Sequence, residues 1–74
     1  MAYEYQTAAG VIRLFRIGQR WAIDFNGCQM VRWQSPDDAV AAAAYHQTGL
    51  PGWDRTRLAV PDDVLRWRPL GESL

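Results

Sequence analysis

The sequence predicts an α+β domain in which an antiparallel sheet of three or four strands packs one helix on one face. Three observations carry that expectation. The first half of the chain holds short apolar–polar alternations of β-branched and aromatic residues, separated by turn residues. Asn26-Gly27 lies directly between two of them, and both residues tolerate the positive φ of a tight hairpin turn. Ser35-Pro36-Asp37-Asp38 then opens an alanine-rich stretch, with a capping hydroxyl, a proline suited to the first helical position, and carboxylates at the positive end of the helix dipole.

The strands follow in order. Tyr3-Glu4-Tyr5-Gln6-Thr7 alternates aromatic and polar, and Ala8-Ala9-Gly10 interrupts it. Residues 11–17 (VIRLFRI) form a second strand. One of its faces carries Val11, Arg13, Phe15 and Ile17, the other Ile12, Leu14 and Arg16. Both faces are partly apolar, which suits the centre of a sheet. Gly18-Gln19 makes a turn. Trp21, Ile23 and Phe25 then share one face of a third strand, and the chain returns through residues 28–34.

A two-residue turn at Asn26-Gly27 sets Phe25 against Cys28, Ile23 against Met30 and Trp21 against Arg32. It also sets Arg20 against Trp33, so each end of the hairpin is expected to carry an Arg–Trp pair, worth about 0.2–1 kcal/mol. Met30 and Trp33 have opposite parity and reach one core only if a bulge intervenes.

The helix is expected over residues 36–47, with Gly49 as its stop. Val40, Ala43, Ala44 and Gln47 form its packing stripe, and small side chains there allow close approach to the sheet. Leu50-Pro51-Gly52 reads as a loop, and residues 56–60 as a short extended segment. Pro61-Asp62-Asp63 begins one helical turn, Trp67 packs back onto the body, and the chain frays at 70–74. Residues 1–74 make a single domain.

Composition removes several classes of function. Among 74 residues one Cys and one His exclude an internal disulfide and a Cys/His metal cluster. Eight basic residues, every one an Arg, balance eight acidic ones, so no overall basic field attracts nucleic acid or an anionic membrane. No secretory signal or membrane span stands out, and an unpaired Cys28 suits the cytoplasm. An all-arginine basic set is expected from coding bias in a GC-rich bacterial genome, the alternative being that planar Arg forks are wanted for carboxylate, phosphate or aromatic stacking.

No catalytic set emerges. His46 sits near the helix C-terminus, where the dipole favours it. Ser35 is at the other end of that helix, roughly 16 Å away at the helical rise, so the two make no dyad. Cys28 follows a hairpin turn rather than opening a helix, and reads as a packing residue. Asp37/Asp38 and Asp62/Asp63 follow prolines and compensate helix dipoles. No glycine-rich phosphate loop is present, and no cofactor or metal is expected.

Charge is uneven along the chain. Residues 1–35 carry Arg13, Arg16, Arg20 and Arg32 against Glu4 and Asp24, a net of +2. Residues 36–74 carry Arg55, Arg57, Arg66 and Arg68 against Asp37, Asp38, Asp54, Asp62, Asp63 and Glu72, a net of −2.

The run Trp21-x-Ile23-x-Phe25-x-Gly27, followed by Ser35-Pro36, an Ala-rich helix, Val60-Pro61-Asp62-Asp63 and Trp67, resembles a group of small uncharacterised bacterial proteins. The likeness spans roughly residues 3–70 and departs at His46-Gln47-Thr48-Gly49, where glycines would precede the His-Thr. It implies the fold and transfers no activity. The order of three strands and a helix is also similar, at the level of fold, to the AP2-type and integrase arm-binding domains that lay a sheet in the DNA major groove.

The function expected is a small non-enzymatic protein–protein interaction module, an inhibitor or adaptor acting by surface occlusion on an unidentified protein partner. Trp53, Arg55 and Arg57 are the expected anchors, being residue types common at interface hot spots. The alternative is a nucleic-acid-binding module using Arg13, Arg20, Arg32 and Trp33 on a sheet face. The hairpin register, however, sets Arg20 and Arg32 on opposite faces. A third expectation is self-assembly, with the exposed first-strand edge (residues 3–7) pairing two copies into a homodimer.

Overall fold

The computed structural model describes residues 2–70. Five strands form one antiparallel sheet: β1 (Ala2–Thr7), β2 (Gly10–Ile17), β3 (Arg20–Phe25), β4 (Cys28–Trp33) and β5 (Arg68–Leu70), in the spatial order β4-β3-β2-β1-β5. The α+β class and the central place of the second strand are as the sequence implies. The fifth strand is an addition: three residues including Pro69 carry no strand signal of their own. They become a strand because the β1 edge offers a partner, pairing Ala2 with Leu70 and Glu4 with Arg68. Pro69, lacking an N–H, is tolerated at a sheet edge. Residue 70 is thus part of β5, and 71–74 lie outside the described residues.

β5 also alters the edge expected to pair two copies. Ala2, Tyr3 and Glu4 already face β5, so only the remainder of β1 keeps an open side.

Three two-residue turns link β1 to β4, each between directly paired residues: Thr7 with Gly10, Ile17 with Arg20, Phe25 with Cys28. Asn26 (φ 52°) and Gly27 (φ 84°) take the two consecutive positive φ values that a right-twisted hairpin needs. Phe25–Cys28 and Ile23–Met30 pair as the sequence suggests. Beyond them a bulge intervenes between Trp21 and Ala22, so that Trp21 faces Trp33. The expected Trp21–Arg32 and Arg20–Trp33 pairs are therefore corrected. Arg32 is the extra residue, its guanidinium carbon 5.9 Å from the ring of its own neighbour Trp33. The bulge is what lets both indoles enter the core.

The helix α1 (Pro36–Ala44) opens as expected, with the Ser35 hydroxyl accepting the Asp38 N–H at 3.1 Å. It ends earlier than Gly49. Gln47 N–H donates to Ala42 O and His46 N–H to Ala43 O, the paired bonds of a Schellman close. His46 occupies its left-handed position at φ 56°. Gln47 lies beyond the helix and is exposed, so the buried stripe is Ala39, Val40 and Ala43.

A single turn, α2 (Pro51–Asp54), replaces the loop expected at 50–52, with Pro51 in its first position. A short 3₁₀ segment (Val64–Arg66) follows the Pro61-Asp62-Asp63 corner, its start capped by the Asp63 carboxylate, which accepts the Leu65 N–H.

One core lies between the sheet and α1. Ile12, Leu14, Trp21, Ile23, Phe25 and Trp33 contribute from the sheet, joined by Ala39, Val40, Ala43, Leu50, Trp53, Val60 and Trp67. Tyr3 and Tyr5 extend it along β1, each beside an indole, Trp21 and Trp67 respectively.

Candidate interaction surface

Side chains alternate across a strand, so filling one sheet face with the core assigns every other residue to the opposite face. No described element of the chain covers that second face. Its rows follow from the strand register. One row runs Gln29, Asp24, Arg13, Glu4, Arg68 across β4, β3, β2, β1 and β5. From Asp24 onward its charges alternate in sign. Within it Arg68 Nη1 lies 3.9 Å from Glu4 Oε2, with the arginine side chain largely in solvent. Such an exposed pair contributes at most about 1 kcal/mol.

The neighbouring row runs Val31, Ala22, Phe15, Ala2, Leu70 across the same strands. It is apolar from edge to edge. Ala22 is fully buried yet stands outside the core cluster, because Phe15 and Val31 flank it on this second face. Val31 and Ile17 are exposed at 41% and 43%, and Phe15 and Leu70 are half-buried. The face thus joins a continuous apolar row to a balanced charged one.

The expected anchors are placed differently. Trp53 is fully buried. Its Nε1–H donates to Ala43 O at 2.9 Å, Phe25 meets it edge-on with ring centres 5.1 Å apart, and His46 stacks on it at 5.0 Å. Trp53 is thereby corrected from partner anchor to core residue: a ring enclosed on these sides offers no surface to a partner. Arg55 and Arg57 are exposed beside it.

The nucleic-acid set is not brought together. Trp33 is buried on the helix side. Arg13 sits in the charged row between Glu4 and Asp24. Arg20 lies at the end of that face, its Nη1 donating weakly to Arg32 O at 3.5 Å. Arg32 reaches instead toward the backbone near Gly49.

Other features stand apart from that face, except a cleft that Glu4 and Arg68 border. The Asp54 carboxylate accepts Thr48 N–H at 3.1 Å, Thr48 Oγ1–H at 2.8 Å and Gly49 N–H at 2.9 Å, which fixes the corner between α1 and α2. An open cleft of about 350 Å³ lies where β5 diverges from β1, lined by Glu4, Tyr5, Gln6, Arg66, Trp67 and Arg68. Cys28 is exposed rather than packed, because it directly follows the Asn26-Gly27 turn at one end of the sheet. Among the described residues no group of three or more His, Cys, Asp or Glu is placed to hold a metal ion. No helix among them is long and apolar enough to cross a membrane.

The open face was only half legible in the sequence. The signal was the second apolar face of residues 11–17, where Phe15 and Ile17 sit opposite the core-facing Ile12 and Leu14. What was missing is the register that aligns Phe15 with Ala22, Val31, Ala2 and Leu70.

Comparison of the chain with protein-family models, curated proteins and solved structures gives no match.

Proposed function

We propose that this chain is a small non-enzymatic protein-interaction module that acts through the open face of its sheet, occluding the surface it covers as an inhibitor or adaptor does. The observation that carries this reading is the apolar row Val31–Ala22–Phe15–Ala2–Leu70, laid beside the charged row Asp24–Arg13–Glu4–Arg68. An apolar strip with a charged border is the make-up of a protein interface: the strip supplies desolvation and the charges supply register. Phe15 replaces Trp53 as the central anchor, flanked by Arg13. The corner Arg55 and Arg57 is secondary to it, since Trp53, the ring expected beside them, is fully buried.

Balanced charge weighs against the nucleic-acid alternative. Arg13 is flanked by two carboxylate-bearing strands, and phosphate affinity grows with the number of uncompensated cations.

The test is capture by tagged wild-type chain and by folded Phe15→Glu from lysate of the source cell, each with and without nuclease. The expected result is a protein held by wild type after nuclease treatment and lost with Phe15→Glu. Capture that vanishes with nuclease, or that Phe15→Glu leaves intact, contradicts the reading.

A further inference from the structure

We infer that the open sheet face is built to close on a second copy of this chain, face to face across a two-fold axis that runs parallel to the strands between β1 and β2. The inference rests on the open face as the binding surface and names its occupant.

It comes from the order of side chains in the two rows. From β3 to β5 the charged row reads Asp24, Arg13, Glu4, Arg68. Read backwards, every position changes sign. A two-fold axis between β1 and β2 performs that reversal. It sets Asp24 over Arg68 of the second copy and Arg13 over Glu4, each contact occurring twice. The apolar row has the same property in size. From β3 to β5 it reads Ala22, Phe15, Ala2, Leu70, small alternating with large. The same axis sets Phe15 over Ala2, and Leu70 over the Phe15 and Val31 side chains that flank the buried Ala22, so the large-on-small match is made by Phe15 and Ala2.

Neither coincidence requires the other, and a single axis satisfies both. Displacing the axis by half a strand spacing, onto β2, sets Arg13 on Arg13 and Glu4 on Asp24. The charges therefore specify one register and penalise its neighbour. The spacing suits the side chains: sheets stack about 10 Å apart, which an Arg and a carboxylate reaching from opposite sides can span.

Size sets the strength. Four facing strands at about 4.8 Å spacing, by at most about 20 Å of strand, cover no more than about 400 Å² of each copy. Standard stable interfaces take about 800 Å² per partner, so this pairing is weak and concentration-dependent.

Asp24 and Arg68 make the decisive pair. Within one chain three strand spacings, about 14 Å, separate them. Across the axis they touch. Sedimentation equilibrium from about 10 µM to 1 mM compares wild type, Asp24→Arg, Arg68→Asp and an equimolar mixture of the two variants. Circular dichroism and melting of each dilute variant check folding. Wild type is expected to dimerise. Each variant alone places like charges at two contacts and is expected to associate at least tenfold more weakly. In the mixture, the arginine introduced at position 24 of one chain meets the aspartate introduced at position 68 of the other. The second contact keeps its native pair, Arg68 of the first chain over Asp24 of the second. Association therefore returns to within about threefold of wild type.

A wild type that stays monomeric to 1 mM overturns the inference. So do single variants that associate normally, or a folded mixture that fails to recover. If either variant does not fold, Glu4→Gln and Arg13→Gln take its place, and association unaffected by both overturns the inference equally. A monomeric wild type removes the second copy as occupant and leaves the open face standing as a surface for other proteins, which capture with Phe15→Glu tests separately.

Discussion

His46 holds a backbone conformation that an ordinary side chain avoids. Its φ of 56° is left-handed, at about 1–2 kcal/mol for a residue with a Cβ. Glycine is the usual occupant of that closing position. The ring offsets the strain by stacking on Trp53, and Nδ1 lies 3.3 Å from Trp53 O. A carbonyl only accepts, so this bond forms when Nδ1 carries the proton. His46→Gly removes both strain and stacking and is expected to stay within about 1 kcal/mol of wild type. His46→Ala keeps the strain and loses the ring, and should be the less stable of the two by about 1 kcal/mol in urea unfolding. Equal stabilities would show that the left-handed φ carries no strain at this position. Asp54 is the second residue of this kind. Asp54→Ala strands three donors, the buried Thr48 among them, and should lower stability by about 2–3 kcal/mol. Neither role was legible from sequence. Gly49 looked like the helix stop because glycine is the common solution there, and the carboxylate of Asp54 has no partner until α2 turns it toward Thr48.

Elements were legible where a local rule fixes them. Ser35-Pro36-Asp37-Asp38 marks a helix start by chemistry confined to one turn, and the Ser35 cap is present. Ser35→Ala should therefore cost about 1 kcal/mol, read as a shift in the urea midpoint without a change of slope. Asn26-Gly27 fixes its hairpin in the same way. The parity conflict between Met30 and Trp33 called for a bulge, and the register shift at Trp21/Ala22 supplies it. β5 and α2 were illegible because neither has a sufficient local cause. Arg68–Leu70 is extended against β1, and Pro51–Asp54, with Pro51 at its first position as its one local signal, turns with Trp53 drawn into the core. Short segments of this sort follow the tertiary structure rather than direct it.

At the scale of the molecule, a 74-residue chain has a total stability of about 4–11 kcal/mol. Trp53→Ala should take away about 3–5 of that and unfold much of the protein. It reports on the core and says nothing about partners. Arg57→Ala, exposed and outside the core, should change stability by less than about 0.5 kcal/mol. Thermal melts of the two variants check this contrast directly. Because so little stability is in reserve, the working surface must be one the fold leaves uncovered. The open face of the sheet meets that condition. Its apolar row could not be read from the sequence, because its five residues come from five strands and one of those strands was not expected.

The measurement that bears most directly on this face is a concentration series of amide spectra. Changes with rising protein concentration are expected at Glu4, Arg13, Phe15, Ala22, Asp24 and Arg68, while α1, α2 and the Arg55–Arg57 corner stay still. Changes centred on that corner, on the open part of the β1 edge or on the β4 edge, with the open face unmoved, would contradict it.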